Sequence, residues 1–343
     1  MKLLTAALLC ASNLATAKPL PDGMKVALVK NKVIVSKGGV SVPIEDGKLP
    51  TEKLDSAELS ADGKSIVVKR SRCGGMFDDG SEDGETFPLA AIEAKLENAL
   101  GMQLHVKKKY VDAIAHFSVA AQKDPATAVY ATNLLSAQSM GKLFDDADKT
   151  IATYGKAQLP WFAWRLAVDP ELKALKGRPS TKLGPAKAGT AKGSLSGKLA
   201  FSPLGLVATE VTSNIYDGEP DPNAKDQTAF IVADAVTGKE LLRLPSSRKV
   251  SDPILATLGF DVVDKLGSLH DDKPITSKDG RKLVKEPKLQ VVTAGKTIDI
   301  DAGDGWDVGF IPKALVVIAR EKTSEDCSGE GPRNFHIEVT ATP

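Results

Sequence analysis

Leu100, Gly101, Leu104, Tyr110, Ala113, Ile114, Phe117, Ala120 and Pro125 set small and large side chains in an order that suits two closely packed helices. Residues three and four apart share a helix face, so Ala113 and Ile114 stand on the same side as Phe117. Gly101, Ala113 and Ala120 remove bulk where the helices meet, and Leu100, Leu104, Tyr110 and Phe117 fill the space that remains. Lys107, Lys108 and Lys109 form a polar corner. Pro125 ends the second helix, because proline lacks the N–H and disfavours helix at the residue before it. The shift along the chain that carries Leu100 to Leu134 also carries Tyr110 to Phe144, Ala113 to Ala147 and Phe117 to Ile151, all of like character. The same shift carries Gly101 to Leu135, Leu104 to Gln138 and Ala120 to Tyr154, so the second copy is degenerate. Gly155 marks a helix stop.

Over residues 94–155 this order and spacing resembles the tetratricopeptide repeat. That repeat is a helix–turn–helix unit of about 34 residues that stacks into a curved, protein-binding surface. The resemblance implies that the first helix of each hairpin lines the concave side. It would present Asn98, Met102 and His105 from the first unit and Thr132, Ser136 and Ser139 from the second. These side chains are mostly small and neutral, unlike the basic clamp with which some family members hold a partner's C-terminal carboxylate. A plain solvated helix face is the alternative reading. Trp161, Trp164, Leu166, Leu172 and Leu175 hint at a third unit, with Asp169 and Pro170 as a helix start. The tryptophans read either as a cap over the stack or as an aromatic binding hot spot.

The first residues resemble an export signal. Lys2 supplies positive charge, Leu3 to Leu14 is mostly apolar, and Ala15-Thr16-Ala17 is a small-x-small cleavage site. Cleavage after Ala17 and a secreted or periplasmic location are expected. Leu9 before Cys10 is not small, which argues against a lipoprotein. No later stretch is apolar for long enough to span a bilayer. Without Lys2 the 45 basic residues fall to 44 and equal the 44 acidic ones. A neutral chain lacks the concentrated basic surface that nucleic acid requires. Cys73 and Cys327, each following a β-branched run, are expected to form one disulfide in an oxidising compartment.

The fold class expected is α+β: a short helical-hairpin module at 88–178, flanked by antiparallel β segments at 18–75 and 199–343. The C-terminal part would be a β-sandwich or barrel-like domain, because many short strands separated by turn signals favour that solution. Thr257 to Leu266 is read as a short helix. Residues 179–198, rich in glycine, proline, serine, threonine, alanine and lysine, read as a flexible linker. Ser60-Ala61-Asp62-Gly63-Lys64, Ser277-Lys278-Asp279-Gly280-Arg281 and Asp234 to Glu240 are read as hairpin turns, since no blade period supports a propeller.

Motifs for zinc proteases, serine hydrolases and phosphate-binding loops are absent, and His105, His116, His270 and His336 are scattered. No enzyme activity and no cofactor are therefore expected, with calcium the one ion worth weighing. Asp79, Ser81 and Asp83 alternate oxygen donors before Gly84, although Ala90 stands where an acid would close the shell. Asp299, Asp301 and Asp304 form a second acidic group beside Trp306, and Asp217, Glu219, Asp221 and Asn223 a third, stiffened by prolines. Two functions follow, with an uncharacterised hydrolase as the least supported third. The first is an exported interaction module or scaffold of a cell envelope that holds a protein partner in its helical groove. The alternative is a β-domain protein that binds calcium, sugar or a surface component, with the helices as a spacer.

Overall fold

The computed structural model describes residues 20, 23–46, 53–71, 83–213, 227–269, 274–277, 279–284, 289–293, 296–300, 305–321 and 334–342. The chain is α+β, with antiparallel sheets, and divides into two compact units, 1–130 and 131–343.

In the first unit, β1 (Lys25–Leu28), β2 (Lys32–Lys37) and β3 (Val40–Asp46) form a three-stranded meander. Lys30 and Asn31 join β1 to β2 at φ 49° and 59°, and Gly38 and Gly39 join β2 to β3 at φ 60° and 81°. Paired positive φ values are what a two-residue type I′ hairpin needs. β4 (Lys53–Leu59), β5 (Ser65–Ser71) and β6 (Asp83–Pro88) make a second three-stranded sheet. Its first turn is held by Asp62, which accepts from the Ser60 hydroxyl at 2.6 Å and the Lys64 amide at 3.0 Å.

Strand residues two apart point to one face. Val33, Val35, Val40 and Val42 of one sheet therefore share a core with Leu54, Ile66 and Val68 of the other. Each three-stranded sheet is thin and needs its apolar face covered. The missing apolar face comes from α1 (Leu89–Val106), whose Leu89, Ile92 and Leu96 complete that core. Another face of α1 packs on α2 (Tyr110–Lys123). A Cβ placed on Gly101 would stand 2.7 Å from the ring of the fully buried Phe117, so glycine is what allows this close approach.

The boundary between the units falls within α3 (Ala128–Met140). The second unit continues with α4 (Phe144–Tyr154), α5 (Leu159–Val168) and a 3-10 turn at Pro170–Leu175. The Asp169 side chain caps that turn by accepting from the Glu171 amide at 2.9 Å. Next come β7 (Lys198–Ser202), β8 (Leu206–Ser213), β9 (Gln227–Asp234), β10 (Glu240–Pro245), α6 (Arg248–Thr257) and β11 (Asp261–Lys265). The helix read at Thr257 to Leu266 thus lies earlier in the chain, at α6. Ile254 and Leu255 of α6 are buried, while the β-branched pair Val262 and Val263 suits the edge strand β11. The five strands run β10-β9-β8-β7-β11.

β12 (Gly267–Ser268), β17 (Gly305–Ile311), β18 (Ala314–Glu321) and β19 (Asn334–Ala341) form a four-stranded sheet, in that order. β13 (Ile275–Thr276), β14 (Lys282–Val284), β15 (Gln290–Thr293) and β16 (Lys296–Asp299) form another. None of these described sheets closes into a barrel. Their cores follow the strand alternation. Ala200, Ala208, Phe230 and Val232 share a core with Ile254, Leu255 and Leu258 at α6. Leu199, Val207, Ile231 and Ala233 point to the other face and join Val316, Ile318 and Ile337. Leu315, Val317, Val308 and Phe310 in turn meet Leu283 and Val291. Burial on both faces explains the unbroken apolar runs Phe230 to Ala233 and Leu315 to Ala319.

The stretch 179–198, expected as a linker, is fastened to this unit. The Ala191 amide donates to the Phe260 carbonyl at 2.8 Å, and Leu195 is fully buried. Three carboxylates hold the rest. Asp261 accepts from the Thr190 amide at 2.7 Å, Asp252 from the Gly193 amide at 2.7 Å, and Glu210 from the Leu195 amide at 2.9 Å. The three turns read as hairpin chemistry behave as such. Asp234 accepts from the amides of Val236 and Thr237, and Gly238 takes φ 72°.

Candidate functional site

The corner between α1 and α2 recurs between α3 and α4. Lys108 has φ 60° and Lys142 has φ 59°. The Lys108 amide donates to His105, and the Lys142 amide to Ser139. Lys109 donates to Leu104, and Leu143 to Gln138. Ala113 donates to Lys109, and Ala147 to Leu143. α2 and α4 accordingly start at Tyr110 and Phe144. At one place where the second hairpin departs from the first, polar bonding replaces apolar packing. Gln138, at the place of Leu104, is buried and accepts from the Thr150 hydroxyl at 2.8 Å.

The six residues expected to line a groove divide sharply. On α1, Met102 is 39% exposed, and Asn98 and His105 are half-buried. The His105 ring stands edge-on to Tyr110, with centroids 5.1 Å apart, and also meets Phe117. On α3, Thr132, Ser136 and Ser139 are all buried. The Ser139 hydroxyl donates to the Glu171 carbonyl at 2.7 Å, and Arg165 donates to the Ser136 hydroxyl at 3.1 Å while pairing with Asp169. The chain's own 165–171 stretch therefore occupies Ser136 and Ser139. Spacing could not show this, since it depends on where α5 and the following turn lie. Trp161 and Trp164 meet edge-on with centroids 5.3 Å apart and pack, partly buried, against the core beneath α6.

The expected disulfide is corrected. No two of the three cysteines stand near disulfide distance, so Cys73 and Cys327 do not pair; both lie outside the described residues. Similar settings in sequence, a β-branched run leading into a glycine-bearing loop, carry no information about separation in space. Of the acidic groups, Asp79, Ser81, Asp301, Asp304 and the stretch Asp217 to Asn223 lie outside the described residues, as does the stretch 1–17 expected to direct export. Asp83 falls in β6, and Asp299 at the end of β16 accepts from the Gln290 side-chain amide at 2.7 Å. No group of three histidine, cysteine or carboxylate residues that could hold a metal occurs among the described residues. No helix among them is long and apolar enough to cross a membrane.

The displaced carboxylates belong to turns and ties. Side-chain and backbone hydrogen bonds hold Asp62, Asp234 and Asp261 below the usual range. Arg178 and then Ser180 do the same for Asp148, and Arg281 and then Ser277 bring Asp279 to about 2. A general acid needs the opposite displacement. Burial, then the Asp124 charge, raises Tyr130. A cavity of about 510 Å³ lies between β11 and β13, lined by Lys198, Asp264, Lys265 and Ile275 among others. The Asp264 carboxylate there is already engaged by the amides of Lys265 and Phe310. No family model, curated protein or solved structure matches the chain.

Proposed function

We propose that this chain is an exported cell-envelope protein that binds a protein partner through its helical hairpins, with the β-sheets holding the hairpins in place. The observation that carries this reading is the recurring corner, with matched φ at Lys108 and Lys142 and matched hydrogen bonds around them. A recurring corner is the local mark of repeat units of the tetratricopeptide kind, which work by presenting helix faces to other proteins.

The working face contracts to the first hairpin. Ser136 and Ser139 are engaged internally, whereas Met102 keeps an exposed, adaptable thioether beside Asn98 and His105. Met102→Glu puts a charge on that face without touching the Gly101–Phe117 contact. Loss of a hot-spot contact of about 2 kcal/mol would weaken partner capture roughly thirtyfold. The measurement is affinity capture from envelope extract, with circular dichroism and melting temperature unchanged in the variant. Equal recovery by both forms overturns the groove as the working surface.

A further inference from the structure

We propose that the turn between α1 and α2 docks on an anionic phospholipid surface. Val106 and Val111, which bracket this turn, are 75% and 67% exposed. Between them stand Lys107, Lys108 and Lys109, all exposed. None of the three pairs with a carboxylate among the described residues, whereas Lys37, Lys123 and Lys149 are matched to Glu97, Glu93 and Asp146. With Asp112 counted, residues 106–112 carry a net charge of two positive units.

The shape of the turn selects the partner. Lys108 takes φ 60° and its amide closes on His105, so the chain reverses within three residues and the tip is narrow and convex. A protein surface would have to supply a fitted cleft for such a tip, while a bilayer deforms around it. Valine side chains can enter the boundary between headgroups and acyl chains while lysine stems reach back to the phosphates. Tyr110, half-buried and set against His105, keeps its ring close to this polar–apolar border. The proposal stands on the tip alone and holds whether or not the helix face binds a protein.

The test is flotation of the full chain with vesicles of equal parts phosphatidylglycerol and phosphatidylcholine, beside vesicles of phosphatidylcholine alone. Each lysine near an anionic surface contributes about fivefold to association. Lys107→Glu/Lys109→Glu is therefore expected to lower binding at least about twentyfold at roughly 0.1 M salt. Val106→Ser/Val111→Ser should lower it about tenfold. All these positions are exposed, so unchanged melting temperatures are expected and serve as the folding control. Equal flotation with neutral vesicles, or variants that float like the parent chain, would overturn the proposal. Capture by polyglutamate without flotation would also overturn it, in favour of an acidic polypeptide.

Discussion

Gly189→Ala is expected to destabilise the 131–343 unit by about 3–5 kcal/mol. An added Cβ would stand 2.0 Å from the Phe260 carbonyl oxygen and 2.4 Å from the Phe260 amide nitrogen. Both are backbone atoms, so no rotamer change relieves the clash. The 184–195 strap must lift instead. Lifting breaks the Ala191–Phe260 hydrogen bond and uncovers Leu195, whose burial alone is worth about 1.5–3 kcal/mol. Gly184→Ala meets the Thr257 carbonyl oxygen at 1.7 Å and should behave alike. Gly280→Ala is the control. That residue has φ 86° and open space around it, so it should cost only about 1 kcal/mol of backbone strain. Thermal melts decide the matter. A fall of about 6–15 °C for Gly189→Ala beside one of a few degrees for Gly280→Ala is expected for a unit of this size. Equal small shifts would show that the strap is not bound as described.

The strap also marks the limit of what the sequence makes legible. Its run of glycine, serine, alanine and lysine cannot form a core of its own, and that part of the composition argument stands. Composition does not reveal that Gly184 and Gly189 allow backbone to lie on backbone, or that Asp252, Asp261 and Glu210 wait on other elements to receive its amides. By contrast, the starts of α2 and α4 were legible, because the recurrence of Tyr110 as Phe144 records helix packing within a short stretch of chain. The meander of β1 to β3 was legible for the same reason, since its valine alternation and turn residues are local. β4 was not, because KLDSAEL carries no β-branched residue and is held by its pairing with β5. The candidate site follows the same rule. Met102 is exposed, as either a groove or a plain solvated helix face requires, whereas burial of Ser136 and Ser139 depends on Arg165, Asp169 and Glu171, far along the chain.

Arg281→Ala is expected to cost about 3–5 kcal/mol, because it empties a buried position whose hydrogen bonds tie several strands together. The side chain is 9% exposed. Its guanidinium donates to the Ile311 carbonyl at 2.9 Å, the Thr342 hydroxyl at 2.8 Å and the Ala314 carbonyl at 3.4 Å, and it lies 4.9 Å from the centre of the Phe310 ring. Removal leaves the Ile311 and Ala314 carbonyls without this donor and opens a void beside Phe310. Arg281→Lys should recover less than half of the loss, since one ammonium cannot reproduce a planar fork aimed at three acceptors. The partner acid sets the pH response. Asp279 donates nothing when ionised and accepts from Arg281 at 2.9 Å, and Arg281, then Ser277, hold it at about 2 against an ordinary 3.8. A depressed carboxyl pKa stabilises the fold above the unfolded value, and that contribution is lost as pH falls through the folded value. The stability difference between the parent chain and Asp279→Asn should therefore be constant above about pH 4–5 and shrink steadily as pH falls towards about 2. Asp279 is 58% exposed on its side chain, so solvent screening keeps its share well below that of Arg281. Denaturant titrations across that pH range test both halves of the argument. A difference that does not change with pH would remove the ion pair from the account, and a mild Arg281→Ala would remove the guanidinium as the tie.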